Sequence, residues 1–210
     1  ETCLLDARSV VDLSLAAQLL RKGEPVVFPT DTVYGLAVSA FDSSAIERLY
    51  AIKQRPQDKG IPVLLADMAD LARVSRDLPP SAQTLIDRVW PGPVTLIVPR
   101  HPDLPDIISP NDTIAVRIPG HAIARSLIRA AGGALATTSA NLSGQPPATS
   151  GAEALKSLGG LIVAVVDDGP SPHELASTIV DCTGNELRIV RQGRVTAAEL
   201  GLGTRLEGTA

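Results

Sequence analysis

Three basic side chains, Lys53, Arg55 and Lys59, lie within seven positions where a predicted helix ends. Pro56 stops the helix, because proline has no backbone N–H and clashes with the preceding turn. Arginine offers a bidentate fork and lysine a point charge, so the cluster has the chemistry of a phosphate clamp. Lysine and arginine at a helix end also simply complement the helix dipole, and the spacing alone leaves both interpretations open.

Small polar side chains follow two predicted strands. Thr30, Asp31 and Thr32 come directly after an apolar strand, and the sequence 137–144 (TTSANLSG) follows another. Ligands of α/β sheets usually bind where strands end, and hydroxyl and amide groups can hydrogen-bond a ribose or a phosphate. The same residue types also build ordinary turns.

Arg117 lies in a predicted strand, 113–118, whose alternation places Thr113, Ala115 and Arg117 on one face. An arginine among apolar strand residues is rarely buried without a partner. It is therefore either a charge at a sheet edge or a ligand for a carboxylate or phosphate. Ser177 and Arg191 flank a predicted β-hairpin, and Arg191 could point into the same cleft.

Other familiar sites are absent from the sequence. It contains no GxxxxGK[ST] loop, no GxGxxG after a strand and no GxSxG. The three histidines are isolated, so we expect neither a histidine-based triad nor a bound metal site. An enzyme of this kind would act mainly by positioning its substrates and offsetting their charge.

The elements that would position these residues alternate between helix and strand. This order predicts an α/β fold with a mixed parallel and antiparallel sheet flanked by helices. The patterns predict helices near 10–20, 44–53, 67–74, 81–90, 121–131 and after 150, and strands near 25–29, 61–65, 94–98, 113–118, 134–138, 161–166, 177–181 and 187–190. We expect one domain over 8–200 and a loose tail over 203–210.

The composition narrows the class of protein. With a net charge of −4 and only 2% aromatic residues, the chain lacks the basic surface and stacking side chains of most nucleic-acid-binding proteins. Its two cysteines form no CxxC pair, no apolar run reaches the roughly 20 residues of a membrane span, and no signal peptide is evident. We expect a cytoplasmic protein.

Taken together, the motifs resemble the YrdC-like family of threonylcarbamoyl-AMP synthases. PTDTVYGL, KQRPQDKG, WPGPVT, VRIP, SANLSG and STIVD occur here in that family's order, and the resemblance covers about 25–194. The resemblance is to the short, single-domain bacterial form. The resemblance implies a twisted mixed sheet with a deep cationic cavity.

The resemblance also implies a reaction. Members of the family join L-threonine, bicarbonate and ATP into threonylcarbamoyl-adenylate and release pyrophosphate, with Mg²⁺ carried on ATP. Separate proteins then transfer the threonylcarbamoyl group to tRNA. Two alternatives stay open: an RNA-binding module that uses the cavity for docking, and a related carbamoyl-adenylate enzyme with another substrate.

The resemblance assigns roles to individual residues. Lys53 and Arg55 would be catalytic and hold the ATP phosphates. Threonine would be bound by Thr32, Arg117 and Ser177. The nucleotide would contact Lys53, Arg55, Lys59, Thr113, Thr137, Ser139, Asn141 and Arg191. Some relatives carry histidine where Leu64 stands, so a contact there would be apolar or through the backbone.

Overall fold

A computed structural model describes residues 1–173 and 175–202, and the predicted tail at 203–210 lies outside the described residues. The helices are α1 (Val10–Arg21), α2 (Ser43–Lys53), α3 (Pro80–Val89), α4 (Ala122–Ala130) and α5 (Gly151–Leu158), with 3-10 helices at Met68–Arg73 and Asp106–Ile108. The strands are β1 (Cys3–Asp6), β2 (Val26–Phe28), β3 (Gly35–Ser39), β4 (Val63–Leu65), β5 (Val94–Pro99), β6 (Thr113–Arg117), β7 (Ala134–Ser139), β8 (Ala164–Asp167), β9 (Thr178–Asp181) and β10 (Arg188–Arg191).

These strands form one ten-stranded sheet in the order β1-β8-β2-β3-β7-β4-β6-β5-β9-β10. Four neighbouring pairs are parallel (β1 with β8, β2 with β8, β4 with β6, β5 with β9) and the other five are antiparallel. The predicted mixed α/β fold and the hairpin of β9 and β10 are thereby confirmed. Strands β1 and β3 were not predicted.

The sheet buries a different core on each face, because successive strand side chains point in opposite directions. Val27 of β2 joins the core beneath α2, α3 and α5, whereas its neighbours Val26 and Phe28 join the core beneath α1 and α4. With five aromatic residues in the chain, both cores consist mainly of leucine, isoleucine, valine and alanine.

The face beneath α1 and α4 is covered along only part of the sheet. Helix α4 packs on β4 and β7, and α1 packs on β1, β2, β3 and β8. Towards β6, β5 and β9 the same face carries Ala115, Ile97 and Ile179, which line a cavity. No helix of the described residues covers the sheet there, so the fold leaves this end of the face open to a ligand.

Candidate functional site

The open end of the sheet holds a cavity of about 450 Å³. Seven strands contribute to its wall, together with the turn after β2 and the loops after α2 and β7. The structure brings eight of the sequence-predicted site residues to it: Thr32, Arg55, Arg117, Thr137, Ser139, Asn141, Ser177 and Arg191.

Arg117 lies at the end of β6 with only 4% of its surface exposed. Its Nη1 donates to the hydroxyl of Thr32 at 3.1 Å, and its Nη2 donates to the hydroxyl of Thr30 at 3.3 Å. The two hydroxyls are 3.0 Å apart, and that of Thr30 also donates to the Val33 carbonyl. The predicted turn and the predicted strand arginine therefore form one hydrogen-bonded unit.

Asp31 is the counter-ion of Arg117. Its Oδ1 lies 3.3 Å from Nη2 of the guanidinium, and neither carboxylate oxygen has a hydrogen-bond partner among the described residues. Burial lowers the pKa of Arg117; Asp31 opposes that shift, and the charge of Arg191 adds to it. Arg117 is thus a buried and paired charge, not an edge charge.

Ser177 and Arg191 meet beside β5. The Ser177 hydroxyl lies 2.8 Å from that of Thr95, and Nη2 of Arg191 donates to the Ser177 carbonyl at 2.8 Å. Burial lowers the pKa of Arg191, and the charge of Arg55 lowers it further. Like charges that act on each other in this way favour an anionic ligand between them.

Arg55 is half-buried in the loop that follows α2. Its Nε donates to the Lys59 carbonyl at 2.9 Å, and its Nη2 donates to the Gly60 carbonyl at 2.8 Å. These two bonds fix the guanidinium on its own loop while it lines the cavity. A guanidinium held in this way can neutralise an anion with little loss of rotamer freedom.

Three predicted residues do not line the cavity. Lys53 is 2% exposed and points into the protein, where its ammonium contacts the loop after β7. Lys59 is exposed to solvent. Thr113 is on the same face of β6 as Arg117 but at the opposite end of the strand, where its hydroxyl donates to Asn111 at 2.7 Å.

Asn141 lines the cavity, yet its side chain is occupied within its own loop. Its amide donates to the carbonyls of Leu142 and Gln145, each at 2.8 Å, and its Oδ1 lies 3.1 Å from Nζ of Lys53. The side chain of Asn141 therefore shapes the loop.

Sequence reasoning missed Ile97 and Ile179 in the apolar part of the wall. Ile97, Ala115 and Ile179 come from three adjacent strands, and Leu64 lies beside them. Thr95 was also missed, although it shares a face of β5 with Ile97. Alternation within one strand shows which of its residues share a face. It does not show that β9 pairs in parallel with β5, and this pairing brings Ile179 beside the residues of β5.

None of the described residues that line the cavity carries a carboxylate. Within residues 1–173 and 175–202, no group of three or more histidine, cysteine, aspartate or glutamate side chains is placed to hold a metal ion. No helix in that part of the chain is long and apolar enough to cross a membrane. The site combines guanidinium groups, hydroxyls and an apolar patch, which suits a ligand with anionic and uncharged parts.

Known proteins are similar to this chain in sequence and in fold. A threonylcarbamoyl-AMP synthase of Bacillus subtilis is 38% identical over 90% of this chain and 55% of its own length. A putative threonylcarbamoyl-AMP synthase of Mycobacterium tuberculosis is 37% identical over 88% of this chain and 85% of its own. A structure of Pyrococcus abyssi Sua5 complexed with L-threonine superposes with a TM-score of 0.88 at 34% identity.

That superposition covers 92% of this chain and 57% of the P. abyssi chain. The chain therefore spans little more than half the length of the Bacillus and Pyrococcus proteins. A family model described as telomere recombination, the Sua5/YciO/YrdC domain, matches residues 18–193. Since that match covers most of the sequence, the chain belongs to the Sua5/YciO/YrdC family.

Proposed function

We propose that this chain forms threonylcarbamoyl-adenylate from L-threonine, bicarbonate and ATP, as a threonylcarbamoyl-AMP synthase does. The observation that carries the proposal is the convergence of Arg55, Arg117 and Arg191 on one hydroxyl-lined cavity. A surplus of positive charge there suits a triphosphate and an amino-acid carboxylate. The relatives that bear this activity by name and the threonine-bound Pyrococcus structure support the same substrates.

Threonine would bind at the Arg117 end of the cavity. Two of the five N–H groups of a guanidinium are accounted for by Thr30 and Thr32, which leaves donors for a carboxylate. The hydroxyls of Thr32 and Ser177 are the groups that would recognise the threonine hydroxyl. Leu64 adds an apolar contact where some relatives carry histidine.

ATP would bind along the wall built by β7 and the loop after α2. Arg55 and Arg191 would contact the phosphates, and Thr137 and Ser139 would contact the nucleoside beside the loop that Asn141 shapes. The exposed side chain of Lys59 would approach the phosphates from solvent. Thr113 is too far along β6 for such a role, and we leave it out of the proposed site.

The chemistry needs no protein nucleophile. The threonine amine and bicarbonate give a carbamate and water, and a carbamate oxygen then attacks the α-phosphorus of ATP. The bond from the α-phosphorus to the bridging oxygen breaks, and pyrophosphate leaves with the electron pair. Arg55 and Arg191 would offset the charge that develops on the departing phosphates.

Mg²⁺ would enter as part of the ATP substrate. The described residues of the cavity wall offer hydroxyl and amide oxygens but no carboxylate, and magnesium bound through substrate phosphates needs few ligands from the protein. We propose that the product passes to transfer proteins that modify tRNA and that the reaction takes place in the cytoplasm.

Pyrophosphate release tests this proposal. With ATP, bicarbonate and threonine present, the chain should release pyrophosphate, and omission of either threonine or bicarbonate should stop the release. The control is Arg125→Ala, which removes an arginine of α4 that pairs with Asp67 outside the cavity and should leave turnover unchanged. RNA binding without any threonine-dependent release would instead favour an RNA-binding module.

A further inference from the structure

Lys53 is the last residue of α2, and both of its ends are bonded to the loop after β7. Its Nζ lies 2.6 Å from the Ser139 carbonyl and 3.1 Å from Oδ1 of Asn141, and it also contacts the Asn141 carbonyl. Its own carbonyl accepts a hydrogen bond from the Ser143 N–H at 3.0 Å. We call residues 139–145, of which Ser139, Asn141 and Gln145 line the cavity, the SAN turn.

These contacts use every donor of the ammonium group. An ammonium has three N–H bonds and no acceptor, and three oxygens of the SAN turn surround it. Lys53 as a whole is 2% exposed, so a phosphate could reach its ammonium group only if this packing broke. Breaking it would leave a buried charge without partners, which is strongly unfavourable.

The conformation of the SAN turn also depends on Lys53. The Asn141 amide closes the turn through the carbonyls of Leu142 and Gln145, and Lys53 fixes the Oδ1 of the same side chain. A small polar loop without such an anchor would have several conformations of similar energy. One charged group therefore fixes the part of the wall that carries Ser139 and Asn141.

We propose that Lys53 is a positioning residue, which acts through the SAN turn, and that the phosphates are contacted by Arg55 and Arg191. The ligand-binding part of this inference rests on the proposed function. The proposal differs from the expectation that Lys53 and Arg55 act together as one phosphate clamp. The two residues are only two positions apart in the sequence, yet their side chains have different roles. Burial and the charge of Arg55 lower the pKa of Lys53 to about 8, which agrees with a charge held away from solvent.

Amide hydrogen exchange tests the anchor without any ligand. In Lys53→Met, the N–H groups of Asn141, Ser143 and Gln145 should exchange about 10- to 100-fold faster, as expected when hydrogen bonds to a charged group are lost. The matched variant Arg55→Met should leave these rates unchanged. Unchanged rates in Lys53→Met would overturn the inference, whether or not the chain binds ATP.

Ligand titration separates positioning from phosphate contact. Lys53→Met should weaken adenosine and ATP by the same factor, because both use the SAN turn, whereas Arg55→Met should weaken ATP more than adenosine. A loss of ATP affinity with unchanged adenosine affinity in Lys53→Met would make Lys53 a phosphate ligand. If the wild type binds neither nucleotide, the proposed function fails, and hydrogen exchange alone decides the role of Lys53.

A measurement on the wild type covers the case in which Lys53→Met does not fold. A buried ammonium with three acceptors should give a slowly exchanging Nζ resonance in ¹⁵N–¹H spectra. This resonance should keep its position when ATP is added. A large shift on addition of ATP, but not of adenosine, would show direct phosphate contact and overturn the inference.

Discussion

Replacing Arg117 by methionine should destabilise the protein far more than replacing a surface arginine. The side chain is 4% exposed and 3.3 Å from the carboxylate of Asp31, whose oxygens have no hydrogen-bond partner among the described residues. Methionine replaces the aliphatic part of the arginine side chain but supplies no charge. The main effect of the change is therefore electrostatic, because Asp31 is left buried without its counter-ion.

The magnitude follows from this burial. Removing one partner of a buried ion pair costs about 3–5 kcal/mol, since the remaining charge keeps its desolvation penalty. The lost bonds to Thr30 and Thr32 add little, because the two hydroxyls still bond each other. For a chain of this size, the expected fall in melting temperature is about 6–20 °C. The double variant Arg117→Met with Asp31→Asn should recover about 2 kcal/mol, because the unpaired charge is gone.

Urea unfolding of the wild type, both variants and Arg125→Met measures these differences. Arg125 is partly exposed and pairs with Asp67 at 2.8 Å, so its loss should cost no more than about 1 kcal/mol. The reasoning is refuted if Arg117→Met and Arg125→Met cost the same. It is also refuted if Asp31→Asn makes the Arg117 variant less stable.

Three further predictions concern turnover, selectivity and acid stability. Arg55→Ala should lower threonine-dependent pyrophosphate release by about 10²–10³-fold, as loss of one preorganised charge-stabilising donor does; wild-type turnover of the folded variant would remove Arg55 from the site. Serine should replace threonine about 10- to 200-fold less well, since it lacks one methyl group, and valine should be close to background because it leaves the hydroxyl-binding groups unpaired; equal rates for valine and threonine would show that the hydroxyl is not recognised. Hydrogen bonds from Arg129 and Arg125 lower the pKa of Asp67 from 3.8 to about 2. This carboxylate therefore stabilises the fold fully above pH 4 and loses that effect as the pH falls towards 2. The urea midpoint of Asp67→Asn should fall less between pH 5 and pH 2 than the midpoint of the wild type.

Much of the fold was predictable because its helices and buried strands have strong local patterns. Helix α1 and strand β7 follow their predicted ranges within one or two residues. Strand β3 was missed because Gly35–Ser39 follows the polar turn directly, and its apolar residues were read as part of that motif. Strand β1 has one buried residue, Leu5, and it is defined by pairing with β8 more than 150 positions away.

The site was predictable where a motif exposes its polar groups. Thr32, Arg117, Ser177 and Arg191 do line one cavity, and the family resemblance had assigned them to one site. The position of Lys53 could not be predicted in this way, because the sequence shows that the residue is charged but not where its side chain points. At the end of α2 the side chain of Lys53 points inward to the SAN turn. This orientation depends on how α2 packs against that loop.

The central claim is that one product contains threonine, a bicarbonate carbon and AMP. The most direct measurement supplies ¹³C-bicarbonate, threonine and ATP, quenches the reaction rapidly and identifies the nucleotide products by mass. The account predicts a labile AMP adduct that carries one labelled carbon and one threonine, formed in equal amount with pyrophosphate. An AMP product without the label, or pyrophosphate released equally without threonine, would contradict it.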